Sequence, residues 1–164
     1  MEIVLRPYLE NDFDILFKIR NDFEIQYMLM TNPKPNTKSK TLQWIENKAA
    51  ANDSVFFIIS NEVNETIGYI QAVKINQINK NCNIGIALEK KWWGKGIAGE
   101  ALLNMEYYLK NTYNLKKVVV EILFENINSI KSFTKANYKQ VGVLQKHFYA
   151  KNKFHDVCIL EKFI

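Results

Sequence analysis

The stretch CNIGIALEKKWWGKGIAGEA, Cys82–Ala101, decides how the rest of the chain is read. Its first eight residues, CNIGIALE, have the short, branched, apolar composition of a strand. The residues that follow, KKWWGKGIAGEALLNMEYYLKN, pass through glycines before settling into helical periodicity, with Leu102, Leu103, Met105, Tyr108 and Leu109 as the apolar stripe. A strand that feeds a glycine-rich turn at a helix start leaves backbone N–H groups free at the positive end of the helix dipole. Such a corner suits an anionic phosphate ligand.

The spacing narrows the choice of phosphate loop. No G-x-x-x-x-G-K-[ST] occurs, whereas Gly94, Gly96 and Gly99 satisfy G-x-G-x-x-G, the spacing of a dinucleotide-binding turn. That alternative needs βαβ repeats and an acidic ribose partner about 20 residues further on. The segments before Cys82 read instead as consecutive strands, so a nicotinamide-dependent oxidoreductase is disfavoured. The plain alternative is a glycine-rich turn that merely ends a strand.

Working outward, VFFIIS and TIGYIQAVKI are β-branched and aromatic, and NEVNE between them has hairpin length, which predicts paired antiparallel strands. A polar turn, NQINKN, leads to the strand at Cys82. Upstream, Ile3 and Leu5 mark a first strand; Asn11 or Asp12 is placed to cap a helix carrying Phe13, Leu16, Phe17 and Ile19, and a second helical stretch follows near Phe23 to Leu29. TNPKPNTKSK is a loop, after which Thr37 or Ser39 caps a helix through Leu42, Trp44, Ile45 and Ala49. Downstream, the unbroken VVV of LKKVVVEILF predicts a strand buried on both faces, ENINSIKSFTKAN a short helix capped by Asn126, and YKQVGVLQKHFYA with FHDVCILEKFI a terminal hairpin around KNK. The class is mixed α+β or α/β, with one central sheet.

Composition bounds the function. At 164 residues and 48% hydrophobic content, residues 1–164 are expected to be one domain. Lys and Arg outnumber Asp and Glu by 22 to 17, but the basic residues are scattered, and the group Lys34, Lys38 and Lys40 is too short for a nucleic-acid arm; no nucleic-acid partner is expected. Cys82 and Cys158 lie far apart, without metal-ligand spacing, and read as buried thiols in strands. MEIVLRPY has neither the basic nor the apolar region of a signal peptide, and no apolar run spans a bilayer, so a cytoplasmic protein without a membrane partner is expected.

With these motifs in order, the chain resembles the GNAT superfamily of N-acetyltransferases, in its ribosomal-protein N-terminal and spermidine acetyltransferase branch. The resemblance runs through LRPYLENDFDILFKIRND, TIGYIQ, WWGKGIAGEAL, NINSIKSFTKANYKQVG and HFYAKNKFHDVCIL. It implies a GNAT-like α/β fold with a mostly antiparallel sheet of six to seven strands and about four flanking helices. It also implies acetyl-CoA as co-substrate, no metal, and direct attack of a primary amine on the thioester in a ternary complex, the enzyme being monomer or homodimer. The family's Q/R-x-x-G-x-G/A loop falls on Lys91–Gly96, with lysine at its first position. By the resemblance, the amides of Gly94, Lys95, Gly96, Ile97, Ala98 and Gly99 hold the pyrophosphate, the backbone of Ile86, Ala87 and Leu88 pairs with pantetheine, Asn126 contacts pantetheine, and Lys135 lies near the CoA phosphates.

Two departures bear on catalysis. Many relatives have a proton-donating Tyr where this chain has Phe133, leaving Ser129 as the nearest hydroxyl, or else solvent or the amine itself. The branch often has a carboxylate where this chain has Asn83, so the base would be Glu89, Asp156, His147 or a water chain, or the amine would bind already neutral. His147 and His155 read as hydrogen-bonded structural or exposed histidines sooner than as catalysts, and Trp92 and Trp93 either pack the sheet's edge or line an acceptor pocket. A CoA-binding module without turnover is the rival from another class. The acceptor stays open among protein N-termini, polyamines, aminoglycosides and sugar-nucleotide amines, its walls coming from the helices between Phe23 and Ala50 and the terminal hairpin. The net positive charge argues mildly against a polycation.

Overall fold

Polar turns and helix caps divide the chain largely where the sequence places them, in the computed structural model that describes residues 2–164. Strand β1 (Ile3–Arg6) leads through a 3-10 turn (Glu10–Asp12) to α1 (Phe13–Asn21), α2 (Phe23–Met28) and α3 (Lys38–Ala50). Then come β2 (Val55–Asn61), β3 (Thr66–Asn76), β4 (Asn81–Leu88), α4 (Ile97–Tyr113), β5 (Lys117–Leu123), α5 (Ile127–Lys135) and the hairpin of β6 (Lys139–Ala150) and β7 (Lys153–Phe163). Thr37, not Ser39, caps α3 by accepting from the Lys40 amide. Asn126 caps α5 as expected, accepting from the Ser129 amide at 3.2 Å. Among the described residues five α-helices flank the sheet, in keeping with the count expected; Asp22 is extended and accepts from the Glu24 and Ile25 amides, which separates α2 from α1 where the sequence puts two helical stretches.

The seven strands run in the order β1-β2-β3-β4-β5-β7-β6. Every neighbouring pair is antiparallel except β4 with β5. A doubly wound parallel sheet is thereby excluded, and with it the dinucleotide-binding alternative. Ile70, Ala72, Ile84 and Val120 belong to the core shared with Leu102, Met105 and Leu109 of α4 and Phe133 of α5. The opposite face packs Ile58, Tyr69 and Ala87 against Leu16 and Ile19 of α1 and Ile45 of α3. At the β1 edge, side chains of α4 take the backbone groups that no strand pairs: Glu100 accepts from the Ile3 amide at 3.0 Å and Asn104 donates to its carbonyl at 3.1 Å.

Gly68 marks the tightest approach in the sheet. A Cβ there would lie 2.1 Å from the Ala87 carbonyl oxygen and 2.8 Å from Leu88 Cα, both backbone atoms that cannot swing away. The requirement concerns room, since this is where β3 presses closest on the last turn of β4.

Asp12 departs from its expected role. Its side chain makes no cap bond to α1. It is fully buried and accepts two bonds of 2.8 Å from Arg6, one of 2.7 Å from the Leu9 amide and one of 2.5 Å from the Thr66 hydroxyl. Burial by itself disfavours the carboxylate, yet these hydrogen bonds and the Arg6 charge outweigh it and hold the carboxyl below its ordinary range. One carboxylate thus ties β1, the 3-10 turn and β3 together. Asp12→Asn is expected to cost about 3–5 kcal/mol by leaving Arg6 unpaired, and thus roughly 6–20 °C in Tm. Because the folded pKa is depressed, the wild-type advantage should be complete above the unfolded carboxylate value of about 3.9 and shrink as pH falls below it. Parallel melts of both proteins from pH 3 to 7 check this, and a gap that ignores pH would remove Asp12's charge from the account.

Candidate active site

The parallel ladder between β4 and β5 is short. Asn81, Cys82 and Asn83 pair with Lys117, Val118 and Val119, and beyond them the strands part, although β4 continues to Leu88 and β5 to Leu123. Each stays paired on its outer side, β4 with β3 through Leu88 and β5 with β7 through Leu123. The separation opens a wedge in the middle of the sheet. Two cavities occupy it and share Met28, Leu29, Ile86, Asn126, Ser129 and Phe133 as a common wall.

One cavity, of about 620 Å³, lies toward the start of α4. Its lining includes Ile86–Leu88, Gly94–Gly99, Asn126 and Lys135, so the sequence-expected cofactor residues all meet at one place. Gly94 and Gly96 hold φ values of 74° and 78°, the left-handed region that carries the chain from the Lys90–Trp92 turn into α4. Cβ atoms added to them would meet nothing within 4 Å, so the turn faces open space. The Gly99 amide donates to the Gly96 carbonyl at 3.1 Å, while the Ile97 and Ala98 N–H groups at the start of α4 lie before any i−4 helical acceptor, at the positive end of the dipole. Lys95, Lys131 and Lys135 also line this cavity. Its single lining carboxylate, Glu24, is already paired with Lys90 at 2.7 Å. Trp92 packs against the core and carries Lys95 4.6 Å above its ring, while its buried Nε1 has no partner. Trp93 donates to the Leu88 carbonyl at 2.9 Å. Both tryptophans therefore shape this cavity and stand apart from the other one.

The second cavity, of about 640 Å³, lies between the sheet and α1, α2 and α3. Tyr69, Gln71, Asn83, Gly85 and Glu121 line its sheet side; Arg20, Asn36, Trp44 and Lys48 line its helical side. Burial pushes the Tyr69 phenol up to about 12, against the opposing pull of Arg20, so it stays protonated at neutral pH. Tyr69 can donate a proton but cannot serve as a base.

The catalytic candidates separate. Ser129 lines both cavities at the junction. Glu89 and Asp156 line neither, which corrects the expectation that placed them at the reacting centre. Glu89 is buried against Lys18 at 2.5 Å and Lys91 at 3.5 Å, its charge spent on joining α1 to the turn before α4. Asp156 accepts from the Lys146 amide at 2.8 Å and steadies a bulge in the terminal hairpin. His147 is exposed. His155 is buried, with Nδ1 2.9 Å from Glu125 and Nε2 3.1 Å from the Ala150 carbonyl oxygen, a structural histidine. Sequence reading missed Glu121, the one carboxylate lining the second cavity. The available signal was a charge interrupting an apolar strand, VVVEIL. It also missed Arg20 and Lys48.

A sheet wedged open at its one parallel pair, with a glycine turn and helix start at the mouth, defines an acyltransferase of the acetyl-CoA-dependent class. The chain belongs to the GNAT acetyltransferase family: the family model for the Acetyltransferase (GNAT) domain matches residues 2–139. An uncharacterized N-acetyltransferase p20 of Bacillus licheniformis is 28% identical over 158 residues, 94% of this chain and 89% of the relative. Spermidine N(1)-acetyltransferase of Vibrio cholerae is 20% identical over 157 residues, 95% of this chain and 90% of the relative. The crystal structure of spermidine N-acetyltransferase from Vibrio cholerae in complex with CoA and spermine superposes with a TM-score of 0.91 at 18% identity, covering 99% of this chain and 95% of that one. At that identity the likeness establishes the fold.

The glycine turn makes a stability prediction of its own. Gly96→Ala should cost roughly 1–2 kcal/mol, because an L-residue is disfavoured at φ 78° whatever the room around it. A thermal melt should fall by about 2–8 °C; an unchanged melt would mean that the turn can reach α4 through ordinary φ values.

Proposed function

We propose that residues 1–164 form one catalytic domain that transfers the acetyl group of acetyl-CoA to a primary amine by direct attack in a ternary complex. The observation that carries this reading is the pair of cavities meeting at Ile86, Asn126, Ser129 and Phe133, one glycine-lined and cationic, the other open to a second substrate. Acetyl-CoA supplies the activated acyl group, and the first cavity fits its chemistry. The N–H groups from Gly94 to Ala98 with Lys95, Lys131 and Lys135 would hold phosphates; the Gly99 amide, expected to join them, is spent on the Gly96 carbonyl. The inner edge of Ile86–Leu88, freed where β5 turns away, offers backbone partners to an amide-bearing arm. Asn126 spends its side-chain oxygen on capping α5, which leaves its amide N–H groups for the pantetheine.

Phe133 is buried and has no proton to give, so Ser129 is the side-chain hydroxyl placed to protonate the departing thiolate. Glu121 replaces Glu89 and Asp156 as the carboxylate for removing the amine's proton, directly or through a water. The two free, buried cysteines suit a reducing compartment, and we take the cytoplasm as the location. Among the described residues no helix is long and apolar enough to cross a membrane.

Thermal shift tests the reading first. Acetyl-CoA or CoA at about 100 times Kd should stabilise the protein by roughly 2.7 kcal/mol, or about 5–11 °C, with no response to NADH; indifference to both CoA species would sink the assignment. Thiol release against an amine panel then separates an enzyme from a binding module that has kept the fold.

Glu121→Gln should lower kcat by about 10²–10⁴-fold while leaving acetyl-CoA affinity intact. An unaltered kcat would take Glu121 out of the chemistry.

A further inference from the structure

Some of the chain's cations are paired with carboxylates. Lys18 pairs with Glu89, Lys90 with Asp22 and Glu24, Lys91 with Glu65, Lys162 with Glu106 and Arg6 with Asp12. Among the described residues, the second cavity is lined by none of these pairs. Arg20, Lys34, Lys48 and Lys74 line it, and Glu121 is the sole lining carboxylate. Among the described residues, neither Arg20 nor Lys48 is in a salt bridge.

Both are held in place all the same. The Arg20 guanidinium lies 4.4 Å over the Trp44 ring and donates to the Asn36 side-chain oxygen at 3.1 Å, while its Nε is buried without an acceptor. Lys48 is one turn along α3 from Trp44, so the two share a helix face. Half-burial, and then the like charge of Arg20, hold the Lys48 ammonium below the ordinary lysine range, with Asp53 pulling the other way. On the cavity floor the Gln71 side-chain oxygen is buried and lacks a donor. Two neighbouring, partly desolvated cations without a counter-ion cost folding free energy, and a buried donor left unmade adds to it. An anion arriving between them removes both penalties.

We infer that this cavity takes the acetyl acceptor, and that the acceptor is a small amine carrying a phosphate or carboxylate group seated between Arg20 and Lys48. The inference rests on the acetyltransferase reading and deepens it. A polyamine would bring only further positive charge to this wall, so the site selects against it. Gln71 is then placed to accept from a hydroxyl or amine hydrogen of the same molecule.

The test uses CoA-saturated protein and matched ligands: an amino sugar with and without a phosphate, an amino acid against the amine lacking its carboxylate, and spermidine. Binding is followed by thermal shift and calorimetry, with acetyl-CoA thiol release alongside. The anionic member of at least one pair should bind about ten- to a hundredfold more tightly, the effect of a charge-assisted contact. Which pair responds tells phosphate from carboxylate. In Lys48→Gln and Arg20→Gln that advantage should fall toward one, while stabilisation by CoA persists and shows that both variants are folded. Equal affinity within both pairs, or tightest binding of spermidine, would overturn the inference. Loss of the CoA response in the wild type would instead overturn the acetyltransferase reading, so the two failures are distinguishable.

Discussion

The site depends on one broken pairing. β4 and β5 are hydrogen-bonded only as far as Asn83 and Val119, and past that point two strand edges face each other across a gap in the sheet's interior. Interior backbone groups without partners are costly, so a gap of this kind persists only if the strands are held apart and something occupies the space. The fold itself meets the first condition. The ladders to β3 and β7 continue on the outer sides of the wedge, and Gly68 lets β3 press onto Ala87 and Leu88 where β4 is otherwise unsupported.

The rim opposite β4 is fixed by a polar cluster. Tyr27 of α2 donates to Glu125 at 2.9 Å, and His155 of β7 meets the other oxygen of that carboxylate at 2.9 Å. The hydrogen bonds from His155 and then Tyr27 hold the Glu125 carboxyl below its usual range, so its charge persists at neutral pH. Glu125 immediately precedes Asn126. The cluster therefore joins α2, the β5–α5 turn and the terminal hairpin at the residue from which Asn126 and Ser129 are presented to the junction. Segments more than 100 residues apart converge on one turn, which helps explain how short helices and a turn can define a cavity wall.

Much of this was legible where the chemistry is local. A strand, a glycine turn and a helix are consecutive in Cys82–Ala101, so the phosphate corner appears in sequence order, and the caps at Thr37 and Asn126 follow from residues three apart. The charges were not legible, because their meaning depends on partners distant in sequence. Asp12 looks like a cap until Thr66, 54 residues away, claims it. Glu89 looks like a base beside the phosphate loop until Lys18 neutralises it from 71 residues away. Glu121 belongs to a buried-looking strand, and only the parting of β4 and β5 gives its side chain a cavity to face.

Asn83 and the cationic wall are two sides of the same problem. A primary amine arrives protonated and must lose that proton before it can attack, yet the sheet position where relatives often carry a carboxylate holds an amide here. Burial, and then the like charge of Arg20, destabilise the Lys48 ammonium, and an acceptor's ammonium drawn into the same cavity would meet both effects, which favour its neutral form. An acceptor with an anionic group is drawn in by the positive charge of Arg20 and Lys48 and partly neutralises it on docking. What remains is a local task at the amine end, where Glu121 supplies the one carboxylate the cavity contains. Recognition by charge at one end of the acceptor and proton removal at the other are then divided between the helical wall and the strand beyond the split.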